Sequence, residues 1–324
     1  YLGIADIVSK VLQFVLMIYA ARLLNVESFG KFSFALSLSW IAVVLADLGI
    51  NTLLIREISR KKASAEKYFF NAALVKAALS LITFLIVAAL LEVLGYPDDT
   101  RQVTYAILLF TMVSSFTELF YSIFRAFEMM FYDAFVKITR MALLAIAGIY
   151  ALFMGYGVIL FSYIFVFAEL AVLLLAAFIA FKKFIKFRFV VEIPFIRRLI
   201  KESVPFGLAI MFGNVYFFIG SIILSKIRGD MEVAVYSVAY NIALAALFIP
   251  TVYTNAIYPV LSRYYHESKA GLATLYERSF KYLYIIGLPM SAGLYILAGR
   301  FINFFYGKSY AASAIVLQII AWYL

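Results

Sequence analysis

An all-α, polytopic membrane protein is the fold class this sequence predicts. Three observations predict it. Hydrophobic residues make up 66% of the 324, charged ones only 14%, and the mean hydropathy is +0.99; a soluble domain has about 45–50% apolar and roughly 25% charged residues. The apolar residues fall in runs of membrane-spanning length, and the basic residues between the runs alternate in number from one connection to the next. The 33 phenylalanines and 24 tyrosines fit lipid contact and interfacial belts. With no cysteine, disulfides and thiolate chemistry are excluded. A single histidine argues against a histidine-built metal centre, and neither a cofactor nor a metal site is expected.

A bilayer core of about 30 Å takes roughly 20 apolar residues in helix. That length places about ten spans, at 2–21, 32–54, 69–94, 103–124, 138–154, 158–181, 205–225, 233–257, 281–299 and 311–324. Residues 141–181 contain no Lys or Arg. One helix of that length would run about 60 Å, twice the membrane. The Gly155-Tyr156-Gly157 turn is therefore expected to divide it.

Even-numbered connections hold 19 Lys and Arg residues and odd-numbered ones 7, with Arg140 and Lys281 at span mouths counted in their connections. By the positive-inside rule the even connections and the N-terminus are cytoplasmic. The surplus of basic residues thus reads as cytoplasmic loops facing anionic lipid, and no nucleic-acid partner is expected. In the longest connection, residues 182–204, apolar Phe195, Ile196, Leu199, Ile200 and Val204 recur at helical spacing opposite Arg197, Arg198 and Lys201. That pattern predicts a basic amphipathic linker started by Pro194 and lying on the inner leaflet.

A shift of 204 residues brings spans one to four onto spans seven to ten. Gly3 and Ala5 fall on Gly207 and Ala209, Asn51 on Asn255, and Arg22 on Lys226. Only nine of residues 1–55 are identical to their counterparts, yet span spacing and basic-loop register also coincide. Six helices is an even number, so the copies share an orientation, as in transporters built from parallel repeats. The expected organisation is a six-helix lobe at 1–181, the linker at 182–204, and an incomplete lobe at 205–324. The chain opens on Tyr1 and stops within an apolar run, so it reads as a fragment, with at least two further helices expected after Leu324.

Deep inside the spans of the first lobe lie Lys10, Asp47, Lys76, Glu118 and Glu169. Charge at such depth is costly and marks a functional site or a buried pair. Lys10 has Asp6 four residues before it as a local ion-pair partner. Lys76 has none and is the better candidate to face a ligand. For Asp47 the alternatives are an ion pair with Lys76 or Lys10 and a role at a binding site, and the two are compatible. Glu118 reads as a packing acid with Arg125 seven residues on, while Glu169 is the most isolated along the sequence and a candidate for proton coupling. Asn214, Asn241 and Asn255 either hydrogen-bond between helices or line a cleft.

The stretches AARLLNVESFGKFSFALSL and LADLGINTLLIREIS, then VAVYSVAYNIALAALFIPTVYTNAIYPVLSRYY and KYLYIIGLPMSAGLYILAGRFINFFYGKSY, resemble the polysaccharide (O-antigen type) flippases. These belong to the multidrug/oligosaccharidyl-lipid/polysaccharide exporter superfamily. The resemblance implies two six-helix lobes around a cationic cleft that moves a polyprenyl-pyrophosphate-linked oligosaccharide between leaflets by alternating access, in a multi-pass protein of the cell membrane. It implies a transporter and not an enzyme, expected as a monomer, with membrane lipids and glycan polymerase or transferase partners nearby. A basic residue stands at the position of Lys10 in related peptidoglycan-precursor flippases, in a motif similar to Ser9-Lys10-Val-Leu-Gln-Phe. Family members often carry an aspartate in helix seven where this chain has Gly220. The expected substrate site is then Lys10, Lys76, Asp47, Asn214 and Asn255, with Glu169 and Glu118 for coupling.

Three rivals remain. A cation-coupled multidrug exporter of the same superfamily would use the acids Asp47, Glu118 and Glu169. A membrane glycan polymerase or ligase would need a long outer loop, against outer connections of about 3–13 residues here. A non-transporting scaffold would bury Lys10 and Lys76 in ion pairs.

Overall fold

The computed structural model of the chain describes residues 2–187 and 191–323, and the side chains of all of these except Leu2, Asn255 and His266. Eleven α-helices follow one another: α1 (Leu2–Leu23), α2 (Val26–Asp47), α3 (Ile50–Arg60), α4 (Ala65–Val93), α5 (Asp98–Ala126), α6 (Met130–Phe153), α7 (Val158–Lys183), α8 (Ile193–Arg228), α9 (Asp230–Glu267), α10 (Lys269–Phe305) and α11 (Ser313–Ala321). Among the described residues nine helices are long and apolar enough to cross a membrane: α1, α2 and α4–α10. The tenth expected span is represented by α11, nine residues long.

The helices form two compact units, residues 1–233 and 234–324. In the first, α5 is the central helix, packed on α2, α3, α4 and α7, and α1 packs mainly on α6. Its core is aromatic at one end, where Phe69, Phe70, Phe120 and Phe124 meet Ile50, Leu53, Leu54 and Ile58 of α3. Those four α3 residues follow helical spacing, so α3 buries one stripe and leaves Arg56 and Arg60 outside. In the second unit α10 is capped by Ser268, whose hydroxyl accepts the Gly271 N–H at 3.1 Å, and packs on α11.

The expected span 32–54 is not one helix. α2 stops at Asp47, and Leu48 and Gly49 both adopt left-handed backbone, at φ 47° and 75°. Glycine tolerates that conformation and leucine does so at a cost, so the turn needs support. Support comes from three sides. The Leu48 N–H donates to the Val44 carbonyl at 2.8 Å, and the Gly49 N–H donates to Asp47 Oδ2 at 3.2 Å. From α8, Phe206 and Gly207 press on the turn: a β-carbon added at Gly207 would lie 2.6 Å from the Leu48 carbonyl carbon, and one at Gly49 2.4 Å from the Gly207 nitrogen. Two backbones touch here, and only glycine lets them.

The divide at Gly155 is as expected, with φ 77° in the turn between α6 and α7. The linker differs from expectation. Its amphipathic start is continuous with span seven in the 36-residue α8, about 54 Å long, with Pro205 inside. Its apolar edge, Phe195, Ile196, Leu199 and Ile200, packs on the α3–α4–α5–α7 core instead of on lipid, with the Phe195 ring edge-on to Tyr68 at 4.8 Å. Residues 188–190 of the linker lie outside the described residues.

Gly207→Ala places a methyl inside the Leu48 carbonyl and should cost about 1–3 kcal/mol of stability. The change is read as a lowered Tm in detergent, while Gly213→Ala, which meets nothing within 4 Å, should not lower it.

Candidate functional site: charge on both flanks of α5

Helix α5 presents polar side chains on two sides, and each side meets a buried charge cluster. The first surrounds Lys76, which is wholly inaccessible. Its ammonium stands 2.7 Å from Asp47 Oδ1, donates to Asn51 Oδ1 at 3.1 Å, and donates to the Ser115 carbonyl of α5 at 2.6 Å. Three oxygens thus surround a group with three N–H bonds. Asp47 is also the residue that ends α2, so the turn at 48–49 and the ion pair share one carboxylate. The Ser122 hydroxyl reaches the Asn51 carbonyl at 3.4 Å and ties α3 to α5 again. The cluster joins α2, α3, α4 and α5.

The second cluster joins α5, α6, α7 and α1. Glu169 of α7 is fully buried, accepts the Thr117 hydroxyl at 2.9 Å, and pairs with Arg140 of α6, Nε to Oε2, at 2.9 Å. The Arg140 guanidinium also lies over the Phe110 ring, 5.6 Å from its centre. One turn back on α6, Lys137 pairs with Asp6 of α1 at 3.2 Å and with buried Asp133 at 3.5 Å. Arg125 of α5 takes the other side of Asp133 at 2.6 Å and approaches Glu118 at 3.8 Å. The cations Lys10, Arg125, Lys137 and Arg140 match the acids Asp6, Glu118, Asp133 and Glu169 in number, so their formal charges cancel.

α1 and α6 run parallel and in register. Asp6 meets Lys137, Leu16 packs against Gly148, and the Tyr19 and Phe153 rings lie 5.8 Å apart. The offset between the two helices stays close to 132 residues, which sets Lys10 level with Arg140.

The expected site residues fall as follows. Lys10 is exposed on α1, and Asp6 bonds to Lys137. Asp47 and Lys76 form the expected ion pair. Asn214 donates from α8 to the Trp40 carbonyl of α2 at 2.6 Å, the interhelical role. The Asn255 side chain lies outside the described residues. Glu118 sits beside Arg125 as expected. Glu169 is isolated along the sequence but not in space, because Arg140 answers it. The structure thus brings together two groups, Asp47 with Lys76 and Glu118 with Glu169 through the α5–α6–α7 charges.

Sequence reasoning missed Arg140, Lys137 and Asp133 because it opened the fifth span at 138 and assigned these residues to a loop or a span mouth. The helix begins at Met130. The available signal was length: 17 residues from 138 to 154 fall short of the roughly 20 a span requires, so the helix had to extend toward its basic end.

The chain is an all-helical multi-pass membrane protein whose fold is shared by solved structures of a multidrug transporter and a lipid flippase. It is similar over 97% of its length to an inward-facing multidrug-resistance MATE family transporter (TM-score 0.72, 18% identity, 76% of that chain). It is similar over 98% to the lipid II flippase MurJ in an inward closed conformation (TM-score 0.76, 15% identity, 70% of that chain). Residues 1–265 match the family described as polysaccharide biosynthesis protein, and the chain belongs to that family. It is 33% identical over 124 residues to a Shigella dysenteriae protein described provisionally as an O-antigen transporter. That match covers 37% of this chain and 29% of the relative's length.

Lys76→Met leaves Asp47 without its cation and should cost about 3 kcal/mol, measured by thermal unfolding in detergent. Adding Asp47→Asn should restore most of the loss. A single variant as stable as the parent would show that the pair does not hold α2 to α4.

Proposed function

We propose that the protein flips a polyprenyl-pyrophosphate-linked oligosaccharide from the cytoplasmic to the outer leaflet for surface glycan assembly, without covalent chemistry of its own. The observation behind this reading is the parallel pair α1 and α6, which sets Lys10, Lys137 and Arg140 within spanning helices of a chain from the polysaccharide biosynthesis family. Membrane-embedded cations within about one helical turn of each other suit an anionic headgroup whose lipid tail stays in the bilayer. The N-terminus is cytoplasmic in this reading, in accordance with the basic connections, and the protein is a multi-pass component of the cell membrane. Membrane lipids surround it, glycan polymerases or transferases act before and after it, and it works as a monomer. Alternating access comes from rocking of two lobes, 1–181 and the one that starts at 205, joined by 182–204. Lys10 and Asn214 border the substrate path. Lys76 and Asp47 set its depth from behind, and Glu118 and Glu169 couple the movement to a cation.

A second reading, a cation-coupled drug exporter, draws on the buried acid Glu169 and on the likeness to a MATE family transporter. Such an exporter would prefer cationic substrates. The two readings part in proteoliposomes containing the full-length protein. The flippase reading expects a lipid-pyrophosphate-linked oligosaccharide placed in one leaflet to become accessible in the other, well above protein-free vesicles, and Lys10→Ala to slow this at least tenfold. No transfer of that lipid, together with uptake of a cationic dye, would overturn the flippase reading in favour of the exporter.

A further inference from the structure

The second charge cluster contains an arrangement suited to exchange of one anion for another. At the level of Lys10, Arg140 lies in front and Glu169 behind: the Arg140 side chain keeps 16% of its surface accessible, and the Glu169 side chain keeps none. The pair therefore turns its positive end outward. The Nε–Oε2 approach is 2.9 Å, an ion pair whose two facing atoms lie off hydrogen-bonding geometry. Glu169 keeps a second bond that does not depend on Arg140, the Thr117 hydroxyl on Oε1. A guanidinium offers five N–H bonds in a planar fork, and one carboxylate contact through Nε leaves the terminal nitrogens to bind elsewhere. The neighbouring charges are accounted for: Lys137 is held by Asp6 and Asp133, and Glu118 leans toward Arg125.

We propose that Arg140 is a substrate-binding residue that, with Lys10 on the adjoining parallel helix, takes the diphosphate of the lipid-linked substrate. Glu169 is the internal counter-ion that the diphosphate displaces and that recaptures Arg140 when substrate leaves. This rests on the flippase reading and assigns residues to its anion site. The carboxylate sets the strength of binding, since phosphate must compete with it. Arg140 recognises the diphosphate through its fork, and Lys10 acts as a point charge beside it. Thr117 keeps Glu169 hydrogen-bonded during the exchange, so the acid is never left without a partner.

The test is equilibrium binding of radiolabelled geranylgeranyl diphosphate, against geranylgeraniol, to the full-length protein in nanodiscs. Arg140→Ala alone would strand a buried carboxylate, so the informative variant is Arg140→Ala with Glu169→Gln. It should bind the diphosphate at least tenfold more weakly and the alcohol unchanged, with Arg140→Lys intermediate and Lys10→Ala weakened likewise. Glu169→Gln alone should bind the diphosphate several-fold more tightly and release it more slowly. Wild-type discrimination between diphosphate and alcohol that persists in the double variant, or weaker binding by Glu169→Gln, overturns this proposal alone. A wild-type protein that does not distinguish diphosphate from alcohol overturns the flippase reading and this one with it.

Discussion

A charge within the hydrocarbon of a membrane must find its opposite, and in this protein helix α5 is where both sets of opposites are brought together. Its two polar flanks determine which helices gather around it. On one flank the Ser115 carbonyl helps hold Lys76, and through it Asp47 and Asn51. On the other, Thr117 bonds to Glu169 of α7 and Arg125 to Asp133 of α6. Apolar packing among lipid-soluble helices is weakly directional, because lipid tails are as apolar as leucine. Ion pairs and hydrogen bonds give the first unit its register, and the aromatic core fills in around them.

The two clusters do different work. Lys76 is closed in by three acceptors and reaches no surface, so it acts as a pin between α2, α3, α4 and α5. Arg140 and Lys137 keep part of their surface, and Lys10 keeps more. The depth that made Lys76 attractive as a ligand-facing residue is the depth at which α2 breaks at Leu48 and Gly49. Its ammonium is spent on holding that turn.

Much of the fold was legible because it follows from counts. Spanning helices need about 20 apolar residues, and a 41-residue run without Lys or Arg must fold back, which Gly155 allows. The pairing of Asp47 with Lys76 was legible as one of two, since an acid inside a span needs a cation and Lys76 and Lys10 both offered one. What escaped depends on contacts between distant segments. No local pattern shows that Leu48 adopts a left-handed conformation, since the turn is stabilised by Gly207, more than 150 residues away. The linker's apolar edge could have faced lipid or protein with the same spacing, and only the aromatic core decides it. Arg140 was missed because a helix mouth rich in Lys and Arg looks like a loop. A helix whose basic residues are paired from neighbouring helices can begin two turns earlier than hydropathy suggests.

The bond from Asn214 to the Trp40 carbonyl has an optical consequence. The chain has two tryptophans, and the other, Trp322, follows α11 and packs on Tyr295 at 5.8 Å. With Trp322 replaced by phenylalanine, the remaining indole belongs to a residue whose own backbone is tied to α8. Its emission wavelength then becomes a built-in gauge of that seam, readable without attaching any dye.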